Sequence, residues 1–481
     1  MQKIRSVKFN FLMNLILTVS NFLFPLITFP YVSRVLGPEG TGKVAFATSF
    51  ITYFTMFASF GVATYGVRAI AQSRDDKTQL AKTTQEILCI NLVMMLIAYI
   101  LFAISLFISD RLWQEKELIV ITSSLIFFTI LGVEWFYKGI EQYQYITVRT
   151  IIFRCIALIV TFILVHTESD YVIFGVITVF ATIGSSIINL FKLRSYIPFE
   201  IYKNYNFSRH LKPMFLLFLT SFAIAIYTNT DTTMLGFIRN DTDVGFYNAA
   251  VRVKVILLGV VTSLGVVLLP RLSYYIEHNM LDEFNIALNK SVNFIMLIAL
   301  PVAIFFILFA KETILVLAGE NYVESILPLQ IVMATVVLVG ISNILGIQVL
   351  LPLKRDGALL ISVLIAAVVD ILLNLFFIPT LGATGAAIST TVAELVVLVV
   401  QCYFVRNYLK ILFSKIQYVK IILAIITSSF ISKIFDEYLD FSLFVTLVIS
   451  GVIFFLIYFL ILFLLKEKFL SDVIKKFKFT T

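Results

Sequence analysis

The sequence predicts an all-α polytopic membrane protein of about 14 transmembrane helices. Three observations predict it. Of its 481 residues, 60% are hydrophobic and 14% charged, against ~45–50% and ~25% in soluble domains. The mean hydropathy is +0.99. The apolar residues form continuous helix-length runs, not the ten-residue alternating segments of a transmembrane barrel. This composition, with its 47 Phe, excludes a soluble enzyme, a secreted disulfide scaffold and a disordered chain.

In chain order the runs are 9–33, 44–67, 83–109, 117–137, 150–166, 171–191, 213–238, 244–270, 291–310, 325–352, 357–379, 383–405, 416–434 and 441–465. Each reaches the ~17 residues at which a transmembrane helix begins to be feasible. The first follows MQKIRSVKFN, a basic start like that of a signal peptide. It lacks a small-residue cleavage site and runs past an h-region, so it reads as a retained helix.

Basic residues orient the chain. With the N-terminus inside, from Lys3, Arg5 and Lys8 onward, the outer connections hold Arg34, Lys43, Arg111, Lys116, Arg239, Lys311 and Lys433. The inner side holds roughly four times as many, as the positive-inside rule demands. Both termini therefore read as cytoplasmic. The net charge of +8 orients the protein and calls for no nucleic acid. No loop has room for a catalytic domain. The tail KEKFLSDVIKKFKFTT reads either as a basic amphipathic stretch on anionic lipid or as a solvated end. Cys89, Cys155 and Cys402 lie in apolar runs and read as small buried hydrophobes. His166, His210 and His278 are scattered and make no metal set. No metal or cofactor is expected.

An internal repeat organises the chain. Gly42 in GPEGTGKVAFATSF opens helix 2, and Gly245 in NDTDVGFYNAAVRV opens helix 8. Arg68 and Arg271, at the inner ends of the same helices, keep the same spacing. Six helices separate the members of each pair, so the halves share one orientation, a parallel repeat about an axis along the membrane normal. The expected domains are residues 1–200 and 201–412, two six-helix bundles around a central cavity. Residues 413–481 add a helix pair and the tail.

Stretches YVSRVLGPEGTGKVAF (31–46), FGVATYGVRAIAQSRDD (60–76), DVGFYNAAVRV (243–253) and above all EWFYKGIEQYQYITVR (134–149) resemble the polysaccharide repeat-unit flippases of the Wzx type. Those belong to the superfamily of MATE drug exporters and the lipid II flippase. The resemblance covers nearly the whole chain in segment order and loop length. It implies two bundles in alternating access in a bacterial cytoplasmic membrane. The implied cargo is an undecaprenyl-pyrophosphate-linked oligosaccharide carried from the inner to the outer leaflet. Membrane lipids, and a polysaccharide polymerase or other assembly proteins, are the partners implied.

Ionisable groups in hydrocarbon cost at least ~2.5–3.5 kcal/mol each on insertion scales and so face a cavity or a partner. Within the spans the candidates are Glu134, Asp231, Arg252, Lys254, Asp370 and Glu394. Asp231 lies in the polar run Thr228–Thr233 of helix 7. It sits at a depth of ~12–15 Å, similar to that of Arg252 and Lys254 on helix 8. Asp231 is expected to pair with one of the two. Arg252 shares a face with Asn248, Gly259 and Ser263 and is assigned to the cavity, where a guanidinium fork matches diphosphate oxygens. Lys254 points elsewhere and meets Asp231 or snorkels. A structural ion pair between helices 7 and 8 is the alternative. Asp370 and Asn374 share a face of helix 11, and Glu394 lies beside Thr390 and Thr391 on helix 12. These three are candidates for coupling to H+ or Na+, with helix packing as the alternative and Asn343 and Gln348 as weaker members.

Asn14 and Asn21 share a face of helix 1, ahead of Pro25 and Pro30. That face reads as cavity wall or as interhelical amide bonding. Arg68, Arg149, Arg154 and Arg271 ring the inner ends, as anchors or as receivers of the diphosphate. Trp135 and Tyr137 are expected in the interfacial belt, with Glu134 paired to Lys138. A MATE-type cation exporter would need an acidic or aromatic lumen, and a repeat-unit polymerase would need a sizeable outer loop. A lipid II-type flippase is the near alternative.

Overall fold

A computed structural model describes residues 6–470 apart from 199, 203, 415, 439, 440 and 469, and apart from the side chains of 7, 8, 263–267, 410 and 411. Lys3, Arg5, the side chains of Lys8 and Ser263, and most of the basic tail (471–481) lie outside the described residues. Among those residues the chain is helical and has no strand. It divides into two units, Met1–Gly245 and Phe246–Thr481.

The first unit contains α1 (Val7–Ser59), α2 (Val62–Ser73), α3 (Lys77–Ile108), α4 (Asp110–Gln114), α5 (Lys116–Leu131), α6 (Glu134–Gly139), α7 (Tyr143–Leu164), α8 (Tyr171–Leu193) and α9 (Ser208–Ile238). Helix α10 (Asp241–Glu277) starts there and passes into the second unit after Gly245. Then follow α11 (Leu281–Leu308), α12 (Ala310–Leu317), α13 (Ile326–Asn343), a π-helical stretch Ile344–Leu350, α14 (Asp356–Leu381), α15 (Ala383–Phe404), α16 (Arg406–Phe413), α17 (Tyr418–Tyr438) and α18 (Leu443–Leu464).

Thirteen segments among the described residues are long and apolar enough to cross a membrane. The first, Phe9–Ser73, has 65 residues, which at ~1.5 Å each is about three times the hydrocarbon thickness. It is broken twice. Gly37 takes φ +65°, open to glycine because it has no Cβ, and Pro38 restarts the helix where no N–H is required. Phe60 (φ 45°) and Gly61 (φ 77°) then turn the chain into α2. The loop expected at 34–43 is thus helical except at Gly37, and the helix expected over 44–67 is cut near its end. The helix expected over 117–137 is likewise cut at Val133 (φ 39°), so EWFYKG forms its own short helix, α6.

Large apolar side chains face outward. Phe107 is 74% and Phe376 77% exposed, as on a surface solvated by lipid tails. Cys89 and Cys155 also lie exposed, and all three cysteines are free. The expectation of burial therefore fails for these two: their helices turn that face out of the bundle.

The interior of the first unit is built on α6. Trp135, Phe136 and Tyr137 are buried with Ile70, Leu80, Ile146 and Leu193. They are core residues, not an interfacial belt. Two glycines explain why: a Cβ on Gly66 would come within 2.7 Å of the Trp135 ring, and one on Gly139 within 2.6 Å of Ile70. The Tyr137 hydroxyl donates to the Asn189 carbonyl at 2.7 Å. Tyr137→Phe is expected to cost about 1 kcal/mol by removing this buried hydrogen bond. The fall in thermal midpoint in detergent checks it.

In the second unit α14 and α15 form a close hairpin. Gly382 (φ 53°) turns the chain, and Gly385 packs directly on the Phe377–Ile378 backbone. Helices α17 and α18 pack on each other. Helix α18 is tied to α11 by Phe454 against Phe305 (5.4 Å between ring centroids) and by the Tyr458 hydroxyl donating to the Leu297 carbonyl at 3.1 Å.

Candidate functional site

The second unit holds Arg252, Lys254, Asp370, Asn374 and Glu394. Arg252 is half-buried on α10, one turn after Asn248, and interacts electrostatically with Tyr322. Lys254 and Glu394 are also half-buried. Between α10 and α15, Tyr247 and Thr390 share a buried hydroxyl–hydroxyl hydrogen bond of 2.7 Å. The polar face of α10 and the Thr390–Glu394 face of α15 therefore start from one anchored contact. Asp370 and Asn374 come together as their spacing predicts: the Asn374 amide donates to the Asp370 carboxylate at 3.3 Å, and both residues are buried. Gln348 is buried in the π-helical stretch with its side-chain carbonyl unpaired among the described residues, as is that of Asn343. A π-helical turn inside a helix is a frequent mark of function.

The first unit holds Asn14, Asn21, Arg68, Arg154 and Asp231. Asn14, Thr18 and Asn21 are all exposed. Their i, i+4, i+7 spacing makes a polar stripe on α1, flanked by exposed Leu15, Leu12 and Val19. Arg154 reaches a different face of α1 and donates to the Ser20 hydroxyl at 2.6 Å. Asp231 is buried in α9. Much of its polar run satisfies itself: Thr228, Thr230 and the Asn229 amide donate to carbonyls one turn back, at 2.6–2.9 Å. Asp231 thus belongs to one unit, and Arg252 and Lys254 to the other.

The arginines at the helix ends separate by role. Arg68 and Arg271 are exposed. Arg149 is buried, bonded to the Asn189 side chain, 3.8 Å from Glu134 and stacked over Tyr145. It fixes α6 to α7 and α8 and is an internal tie. Glu134 pairs with Lys138 at 2.8 Å, as expected from their spacing.

Two features escape the sequence reading. Glu86, three residues inside a span, is fully buried. It accepts hydrogen bonds from the Asn206 backbone N–H (2.6 Å), Arg209 (2.6 Å) and His210 (2.9 Å), and the other His210 nitrogen meets the Tyr65 hydroxyl at 2.7 Å. The signal was present, an unexplained carboxylate in an apolar run. The second feature is a crossing of the two repeat glycines. A Cβ on Gly42 would land on the Asp241 carbonyl and within 2.9 Å of the Gly245 nitrogen, and one on Gly245 would land on the Pro38 carbonyl.

Among the described residues no His, Cys, Asp and Glu group is arranged to hold a metal ion. The family model described as "Polysaccharide biosynthesis protein" matches residues 7–276. The "Putative O-antigen transporter" of Escherichia coli (strain K12) is 29% identical over 396 residues, 81% of this chain and 94% of that protein. The lipid II flippase MurJ, in an inward closed conformation, superposes with a TM-score of 0.77 at 19% identity, covering 96% of this chain and 100% of the other. A multidrug resistance MATE family transporter of the MOP superfamily, in its inward-facing conformation, superposes at 0.60 with 15% identity, covering 81% and 95%. The fold is that of MurJ and the MATE transporters, and the chain belongs to the polysaccharide biosynthesis protein family.

Proposed function

We propose that this membrane transporter flips an undecaprenyl-pyrophosphate-linked oligosaccharide repeat unit from the inner to the outer leaflet of a bacterial cytoplasmic membrane. It works by alternating access, with both termini cytoplasmic. The observation that carries this reading is Arg252, a guanidinium held half-buried inside a membrane-spanning helix. Such a charge is expensive in hydrocarbon unless it faces a cavity, a partner or a ligand, and a diphosphate is a ligand whose oxygens its fork matches. The stripe Asn14–Thr18–Asn21 supplies amides and hydroxyls suited to sugar hydroxyls, flanked by apolar side chains suited to the lipid. The relative named for O-antigen transport supports a glycan cargo. The MATE-like fold alone does not discriminate, since cation export would need acidic rather than basic residues in the lumen.

The coupling element in this reading is Asp370–Asn374 with Glu394, responding to H+ or Na+. A buried carboxylate beside an amide either takes up a proton or shares a small cation with neighbouring oxygens. Purified protein in proteoliposomes, loaded with the organism's own lipid-linked glycan, tests both parts. Translocation is expected to depend on an imposed ion gradient. Asp370→Asn or Glu394→Gln is expected to abolish that dependence, and an unchanged dependence in both variants ends the coupling assignment. The two expected bundles, 1–200 and 201–412, and a polymerase partner belong to the same proposal.

A further inference from the structure

The outer tip of α10 is held by contacts that the substrate reading does not use. Asp241, the first residue of α10, is buried. It pairs with Arg111 of α4, whose Nε also donates to the Gly236 carbonyl at 3.0 Å. The Arg111 guanidinium lies over the Phe46 ring at 5.1 Å. Beside this pair, the Gly42 and Gly245 backbones cross so closely that neither position has room for a Cβ. Lys43, next to Gly42, is bound in turn by Glu115 (3.0 Å) and Glu39 (3.1 Å). This end is thus held by backbone atoms at two glycines, by the Arg111–Asp241 pair and, beside them, by the Lys43 ion pairs.

We propose that Arg111 and Asp241 are positioning residues that latch the outer tip of α10 over the Gly42–Gly245 crossing. Release of the latch is then the step that opens the outer end. The proposal rests on the transport reading and adds the residues that set the outer end's position. Backbone-on-backbone contact has no side chain to rearrange, so the crossing separates as a unit when the tip moves. Arg111 is the direct ion-pair partner of Asp241, Lys43 and Glu115 act on it at longer range, and loss of the pair weakens the hold on the tip. Its own loss is costly because Asp241 has little water to fall back on.

Thiol labelling tests this without any substrate. In a background with Cys89, Cys155 and Cys402 changed to Ser, Ala249→Cys or Ala47→Cys places a small thiol at a fully buried position one to two turns beyond the crossing. A charged, membrane-impermeant methanethiosulfonate reagent, added from the outer side, reads its accessibility. Asp241→Asn and Arg111→Ala are each expected to raise the labelling rate at least about tenfold, the change that loss of ~1.4 kcal/mol produces. The exchanged pair Arg111→Asp with Asp241→Arg is expected to restore slow labelling, which a merely misfolded variant does not do. Gly42→Val, which prevents the crossing, is expected to label fast whatever the ion pair. Unchanged labelling in Asp241→Asn, or no rescue by the exchanged pair, overturns the latch. Because the readout is the thiol, failure here leaves the flipping assay intact, and failure of that assay leaves this one intact.

Discussion

Arg252→Ala is expected to abolish translocation of the lipid-linked glycan, with a loss of at least about thirtyfold, while Arg252→Lys retains part of the activity. The magnitude follows from truncating one partner of a buried charge–anion contact, ~2–5 kcal/mol. The partial rescue follows from chemistry. Lysine keeps the charge on a flexible stem but loses the planar fork that engages two phosphate oxygens at once. A second readout separates ligand binding from structure. If Arg252 serves the substrate, translocation is lost on truncation while the thermal midpoint of the empty protein changes little. If it is instead half of a structural pair, stability falls with activity. Full activity in Arg252→Ala removes the lumen assignment.

Glu86→Ala is expected to destabilise the first unit by about 3–5 kcal/mol, the range for breaking a buried ion pair and leaving its partners unmatched. Three donors converge on this carboxylate from the segment that begins α9, and Tyr65 of α2 closes the set through His210. Glu86→Gln keeps a neutral acceptor and is expected to lose roughly half as much. Arg209 is partly exposed and recovers some hydration, which places the expected value toward the lower end. Thermal denaturation of purified protein in detergent measures both variants. Wild-type stability in Glu86→Ala contradicts this account of the network.

The helical membrane fold was legible because burial in lipid imposes continuous apolar runs, and those runs survive in the helices observed. The breaks inside the runs were not legible. Gly37, Phe60–Gly61 and Val133 interrupt helices through positive φ, and a hydropathy pattern carries no information about φ. At the last of these breaks the positive φ falls on Val133, the residue after Gly132, and not on the glycine itself. Trp135 and Tyr137 read as belt residues because amphipathic aromatics suit an interface. They went inside because Gly66, far away in sequence on α2, clears space for the Trp135 ring, and Gly139 lets α6 itself pack on Ile70. Glu86 escapes notice for a related reason, since its partners lie 120 residues or more away. Asp370–Asn374 and Glu134–Lys138 were legible because both are i, i+4 pairs within one helix. The Gly42 and Gly245 spacing was visible as a repeat, but their meeting at one crossing was not, because periodicity fixes register and leaves packing partners open.

Deletion of the gene, followed by analysis of lipid-linked glycans leaflet by leaflet, tests the central claim most directly. The account predicts that one undecaprenyl-pyrophosphate-linked oligosaccharide accumulates facing the cytoplasm while its polymer disappears from outside. Normal polymer with no lipid-linked intermediate trapped on the inner leaflet contradicts it.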